Sequence, residues 1–263
     1  MVGQRDRNTY AWSLPPSTAE TCARKTPTSS HREGSSPWSH GAPGSMIAFM
    51  SNRPRYAEPR WPVILALAAV VVLHFSLPDV LSLGPNWLLV AVFAVLATFV
   101  SISHSRGAEE TAYVGGLILI SFVTVAVIAS LVLLIRFLPT HKESPLDLLQ
   151  SAASLWVSNV LVFAAWYWKL DAGGPNQREK ARSHNQGAFL FPQMALHQES
   201  PAKPDSWHPR FVDYLFLSFN TSTALSPTDT QILSRWAKAL MMLQSLISLT
   251  IIVLLAARAV NIL

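Results

Sequence analysis

The sequence predicts an all-α membrane fold, with about five transmembrane helices plus one short re-entrant pore-type helix, behind a disordered N-terminal tail. Three observations predict it. Half of the 263 residues are hydrophobic and only 13% are charged, against about 25% in ordinary soluble domains. The apolar residues come in long runs of the length that a ~30 Å hydrocarbon core requires, rather than at helical or strand period. Near the C-terminus, the ten-residue apolar run from Phe211 to Asn220 is too short to cross a bilayer as a helix, yet a full-length apolar run follows it.

Residues 1–58 form the tail. They are rich in Ser, Pro, Thr, Arg and Gly and show no periodic apolar pattern. Such a segment buries too little surface to offset its chain entropy. No apolar stretch follows Arg5 and Arg7 as a signal peptide would require. The abrupt change in composition fits a natural start at Met46 or Met50. Residues 59–147 hold three spans. The first runs from Trp61 to Leu77 and stops at Pro78. The second runs from Asn86 to Ser103, after the Gly84-Pro85 break, and pairs with the first as a hairpin. The third runs from Ala112 to Leu138, with Pro139 as its stop. In lipid every backbone polar group must pair internally, so each run is expected to be a helix.

Residues 148–263 form the C-terminal region. Span four, Leu148 to Leu170, ends in Trp166, Tyr167, Trp168 and Lys169, a pattern that reads as an aromatic belt with a snorkelling cation. A polar stretch follows, broken by Gly173, Gly174, Pro175, Pro192, Pro201 and Pro204. Its apolar island Phe189-Leu190-Phe191-Pro192 is expected at the membrane interface. Then come the short helix and span five, Ala237 to Leu263. Non-helical backbone beside a re-entrant helix must be buried in protein or line a wet cavity.

The stretch after Tyr214 reads Phe216, Leu217, Ser218, Phe219, Asn220, Thr221, Ser222, Thr223, Ala224, Leu225, Ser226, Pro227, Thr228, Asp229, then Arg235 and an apolar helix ending Ala257-Arg258. This resembles the pore module of tetrameric potassium channels, with its pore helix, filter and inner helix. Ser218, Thr221, Thr223 and Asp229 fall on matching positions. The resemblance implies that span four is the outer helix and that Thr221, Thr223, Ala224, Leu225, Ser226, Pro227, Thr228 and Asp229 form the filter-like segment. The filter itself departs from the family. Leu225, Ser226, Pro227 and Thr228 replace the glycine-bearing signature. Glycine serves there because the backbone needs a φ that costs other residues about 1–2 kcal/mol. Pro227 also fixes its own φ and restricts Ser226. A potassium-selective cage of backbone carbonyls is therefore not expected. The run Thr-Ala-Leu-Ser-Pro-Thr-Asp and the tail Ala-Ala-Arg-Ala-Val-Asn-Ile-Leu also resemble an uncharacterised family of bacterial integral membrane proteins, which implies no function.

Other residues carry two readings. Asn159 lies mid-span in span four, and Gln244 and Ser248 share one face of span five. They read as polar glue between helices, which predicts that span five packs on span four; lining of a cavity is the alternative. Asp229 caps span five or a turn, or attracts cations at the filter mouth. Asp213 serves the N-terminus of the short helix. His74 reads as an interfacial imidazole, with a proton relay as the alternative. His184, His197, His208 and Asp205 match no metal spacing, and Cys22 is the only cysteine. Neither a metal nor another cofactor is expected. No paired acid–base constellation marks catalytic residues, so an enzyme is not expected.

The net charge of +5 lies beside apolar runs, which argues for lipid rather than nucleic acid as its partner. Arg53, Arg55, Arg60, Arg106, Lys169, Arg178, Lys180, Arg182, Arg235 and Lys238 fall on one side of a five-span arrangement, and Arg136, Lys142 and Arg258 on the other. The positive-inside rule then puts the N-terminus and the polar stretch in the cytoplasm. The expected protein is a multi-pass protein of a cell membrane, the bacterial inner membrane. It would be channel-like or transport-related with at most weakly selective cation conduction, and a homo-oligomer, tetrameric if channel-like. The alternative is a non-conducting scaffold or interaction protein that reuses the pore architecture.

Overall fold

A computed structural model describes residues 58–78, 81–82, 84–137, 145–180, 187–194, 207–224 and 229–260. The tail up to residue 57, the filter-like residues Leu225, Ser226, Pro227 and Thr228, and His184, His197 and Asp205 lie outside the described residues. The described residues are mostly helical: α1 (Trp61–His74), α2 (Asn86–Ser105), α3 (Glu109–Phe137), α4 (Pro145–Leu170), α5 (Pro175–Lys180), α6 (Phe211–Thr223) and α7 (Arg235–Val260), with two short strands among them, β1 (Phe189–Leu190) and β2 (Gln231–Ile232).

Among the described residues, four helices are long and apolar enough to cross a membrane: Trp87–Ser105, Glu109–Arg136, Leu146–Gly173 and Arg235–Ala257. The protein is thus a helical membrane protein. The helix expected from Trp61 to Leu77 ends at His74 after 14 residues, about 21 Å at 1.5 Å per residue. Helical hydrogen bonding gives way there to tighter bonds, Leu77 N–H reaching His74 O at 3.2 Å.

α4 is the centre of the bundle. Of its most apolar window 67% is buried, against 6% for α2. It packs against α1, α3, α6 and α7, while α2 rests mainly on α3. The core runs through Leu67, Val123, Leu155, Val162, Phe163 and Ile251. Because lipid-facing side chains are as apolar as core ones, α7 and α2 carry apolar residues all round.

Two sequence readings are corrected here. Tyr167 is fully buried, and Trp168 and Lys169 are 4% and 8% exposed; they point into the protein and do not form a lipid-facing belt. Phe189, expected at the interface, is 1% exposed. It lies in an aromatic cluster with Tyr167, Tyr214 and Trp236, at centroid separations of 5.3, 6.1 and 6.1 Å. Antiparallel pairing of Phe189 with Ile232 and Leu190 with Gln231 holds it there.

Candidate functional site

The C-terminal half is built round α6. Its 13 residues reach about 20 Å, short of a ~30 Å core. The Asp213 carboxylate accepts the Arg210 backbone N–H at 2.7 Å and satisfies the helix entry. Burial raises the Asp213 carboxyl, while the Arg210 N–H and guanidinium pull it back. Phe211, Tyr214, Leu217, Ser218, Thr221 and Ser222 are the buried face of α6, spaced as one side of a helix. Val212, Phe216 and Phe219 face outward.

Contacts along α4 fix the course of α6. Tyr214 hydroxyl donates to Asp171 Oδ2 at 2.6 Å, just past the end of α4. One turn on, Ser218 Oγ donates to Val160 O at 2.7 Å. Phe219 meets the Trp156 ring edge-on at 5.8 Å, near the middle of α4. By Gln231 the chain is paired with Leu190 again, and α7 sets out from the same end, with Trp236 against Phe189.

Asn159, Gln244 and Ser248 meet in the space between α4, α6 and α7. Asn159 Nδ2 donates to Ser248 Oγ at 2.9 Å and to Gln244 O at 3.3 Å. Gln244 Nε2 lies 2.7 Å from both Ser218 Oγ and Ser222 Oγ and 2.8 Å from Ser218 O. Its Oε1 accepts the Tyr167 hydroxyl at 2.5 Å. Thr221 is buried and donates to Leu217 O at 2.8 Å, its own helix backbone. Thr223, Ala224 and Asp229 are exposed, and Thr223 donates to Phe219 O at 3.0 Å. Among the described residues, Asn159 Oδ1, Trp156 Nε1 and Asn220 Nδ2 are buried without a hydrogen-bond partner.

A second polar cluster closes the end of α4. The Arg178 guanidinium grips Glu58 at 2.9 Å, both side chains being 3% exposed. It also donates to Trp168 O at 2.8 Å and Asp171 O at 2.9 Å, satisfying carbonyls that a helix C-terminus leaves open. Trp168 Nε1 donates to Glu58 Oε1, and Asp171 Oδ1 accepts Ala188 N–H at 2.6 Å. Glu58, the last residue of the tail as read from the sequence, is therefore part of the core. Arg178, read as a juxtamembrane cation, is internal.

Sequence reasoning missed Glu58 and Asp171, read Tyr167 and Arg178 as facing the membrane surface, and named Ser218 and Ser222 only through the pore-module stretch. Ser218 and Ser222 stand four apart on an apolar helix, the same signal that singled out Gln244 and Ser248. Nothing local links Glu58 to a partner 120 positions away. Comparison with protein-family models, with curated proteins and with solved structures gave no match.

Proposed function

We propose that this chain is a multi-pass protein of a cell membrane, the bacterial inner membrane, whose C-terminal half is a re-entrant pore-type module serving as a rigid, non-conducting scaffold. The hydrogen bonds made by the Gln244 side chain carry this reading. Its side-chain amide engages Ser218, Ser222 and Tyr167 within one subunit. Groups that could line an aqueous path are thereby committed to holding three helices together. The outward residues of α7, such as Met242, Leu246 and Val253, are apolar and suit lipid or a partner helix. The course of α6 supports the re-entrant reading: it starts at the polar end of α4, ends near mid-bundle, and the chain returns to the end it left.

α1 counts as a fifth crossing in this proposal. Arg60 at its start meets His104 at the end of α2, so the two run antiparallel. Leu77 and Leu81, past its end, are buried at 5% and 1% exposure and continue the apolar path toward the start of α2.

A cation path is the second reading, favoured by the exposure of Thr223, Ala224 and Asp229 where the chain turns back. It would need a symmetric assembly, with selectivity from side chains rather than carbonyl rings. Purified protein in a planar bilayer separates the two. The scaffold reading expects no current under sodium or potassium gradients. A cation current that falls in Asp229→Asn would replace it with the channel reading.

A further inference from the structure

A cavity of about 190 Å³ lies between α1, α2, α3 and α4, away from the α6 module. Its inner wall is apolar, formed by Val63, Leu67, Leu119 and Ile120. Its outer end carries Lys169, Arg60 and His104. These belong to the end of α4, the start of α1 and the end of α2, so the basic groups share one end of the bundle. Ile64, Ser101 and His104 line the cavity and are also exposed, which gives it a mouth at the protein surface.

Lys169 is the unusual member. It is 8% exposed, and its ammonium stands 4.7 Å from the centroid of the Tyr113 ring. Among the described residues it has no hydrogen-bond or carboxylate partner. Glu58 is paired with Arg178, and Glu179 with Arg60 at 3.7 Å. The side chain is mostly buried, but its ammonium is not sealed off and lines the cavity, where it has a ring and no counter-charge beside it. Gly116 makes room for it: a Cβ at that position would lie 2.6 Å from Lys169 Nζ and 3.0 Å from its Cε. The missing Cβ thus leaves the room that the end of the Lys169 side chain itself occupies on the cavity wall.

We propose that this cavity binds an anionic amphiphile, with its acidic oxygens on Lys169 and one apolar chain running inward between Val63, Leu67, Leu119 and Ile120. The volume somewhat exceeds that of apolar cavities of about 150 Å³ that take up benzene, so it accepts part of an acyl chain; the remainder leaves through the mouth beside Ile64. A charge-assisted contact of oxygen with ammonium supplies the preference for an acidic head. The head belongs either to a free fatty acid, as a carboxylate, or to an anionic phospholipid, as a phosphate. This inference is independent of the scaffold reading.

The test is native mass spectrometry of the purified full chain, released from neutral detergent with added oleate, phosphatidylglycerol or phosphatidylcholine. The expected result is a retained adduct with oleate or phosphatidylglycerol and little with phosphatidylcholine. Oleate alone identifies the free acid as ligand, and phosphatidylglycerol alone identifies the bilayer lipid. Lys169→Met should reduce adduct occupancy about tenfold. Gly116→Ala, which only displaces the ammonium, should also reduce it, with the melting temperature of the delipidated protein held. If Lys169 is instead a packing cation for Tyr113, both variants retain lipid as the parent does. That outcome overturns the proposal, as does equal retention of phosphatidylcholine or no adduct from either acidic probe.

Discussion

At Gln244 one side-chain amide serves three hydroxyl groups from two other helices. Replacing it with leucine removes the donors and leaves Ser218, Ser222 and Tyr167 to find partners in an apolar interior. Single interhelical hydrogen bonds in membranes average only about 0.6 kcal/mol, but each stranded buried group adds a desolvation penalty, so Gln244→Leu should lower stability by about 2 kcal/mol. Reversible unfolding in mixed micelles measures it; an unchanged midpoint would show that the network contributes nothing. Arg178 calls for a sharper test. Arg178→Met strands the Glu58 carboxylate in a site where both partners are 3% exposed, and should cost about 3–5 kcal/mol. Adding Glu58→Gln removes the stranded charge and should restore most of that loss. A double variant as unstable as the single one would mean that the guanidinium matters mainly through its bonds to Trp168 O and Asp171 O.

At the scale of elements, the turn after α4 decides where the polar segment goes. Ala172, Gly173 and Gly174 have φ of 49°, 78° and 91°, three successive residues in the left-handed region. That bend carries α5 back over the end of α4, so Arg178 reaches carbonyls it has just left. The Gly173-Gly174-Pro175 stretch announced a break in the sequence, but not what the break would deliver. Gly174→Ala combines a strained φ with a Cβ 2.9 Å from Lys169 O. Gly107→Ala, at φ 74° with nothing within 4 Å, carries the backbone term alone, about 1–2 kcal/mol. The first should therefore lower the thermal midpoint more than the second, and equal shifts would remove the close contact from the account. The spanning helices themselves were legible because long apolar runs between Pro and Gly breaks allow little else in lipid. The aromatic end of α4 was not: a belt facing lipid and a cluster facing protein have the same composition, and only the position of Phe189, brought in by a two-residue strand pair, distinguishes them.

For the whole molecule, the grouping of charge was legible where its location was not. Arg60, Lys169 and Arg178, assigned from the sequence to one side of the membrane, do gather at one end of the bundle, together with His104 and Glu179. A direct prediction concerns α1. With Cys22 replaced by serine, single cysteines at Pro59 and Pro85 should react with a membrane-impermeant maleimide from opposite sides if α1 crosses. Labelling of both from the same side would reduce the spans to four. A 14-residue helix reaches only about 21 Å, so a crossing by α1 would have to use the following turn as well.

The pairing of Glu58 with Arg178 bears on the order in which the protein is made. Chains emerge from the ribosome N-terminus first, at about 5–20 residues per second. Glu58, at the entrance to α1, is thus synthesised 120 positions ahead of its counter-ion. Through that interval α2, α3 and α4, each long enough to cross, can insert before the carboxylate has its partner. Only when the turn after α4 brings Arg178 into place can the carboxylate leave water. The ion pair is thus a late latch on biogenesis: a nascent chain stopped at Leu170 holds four helices with their N-terminal end unfastened, and one that continues past Lys180 can close.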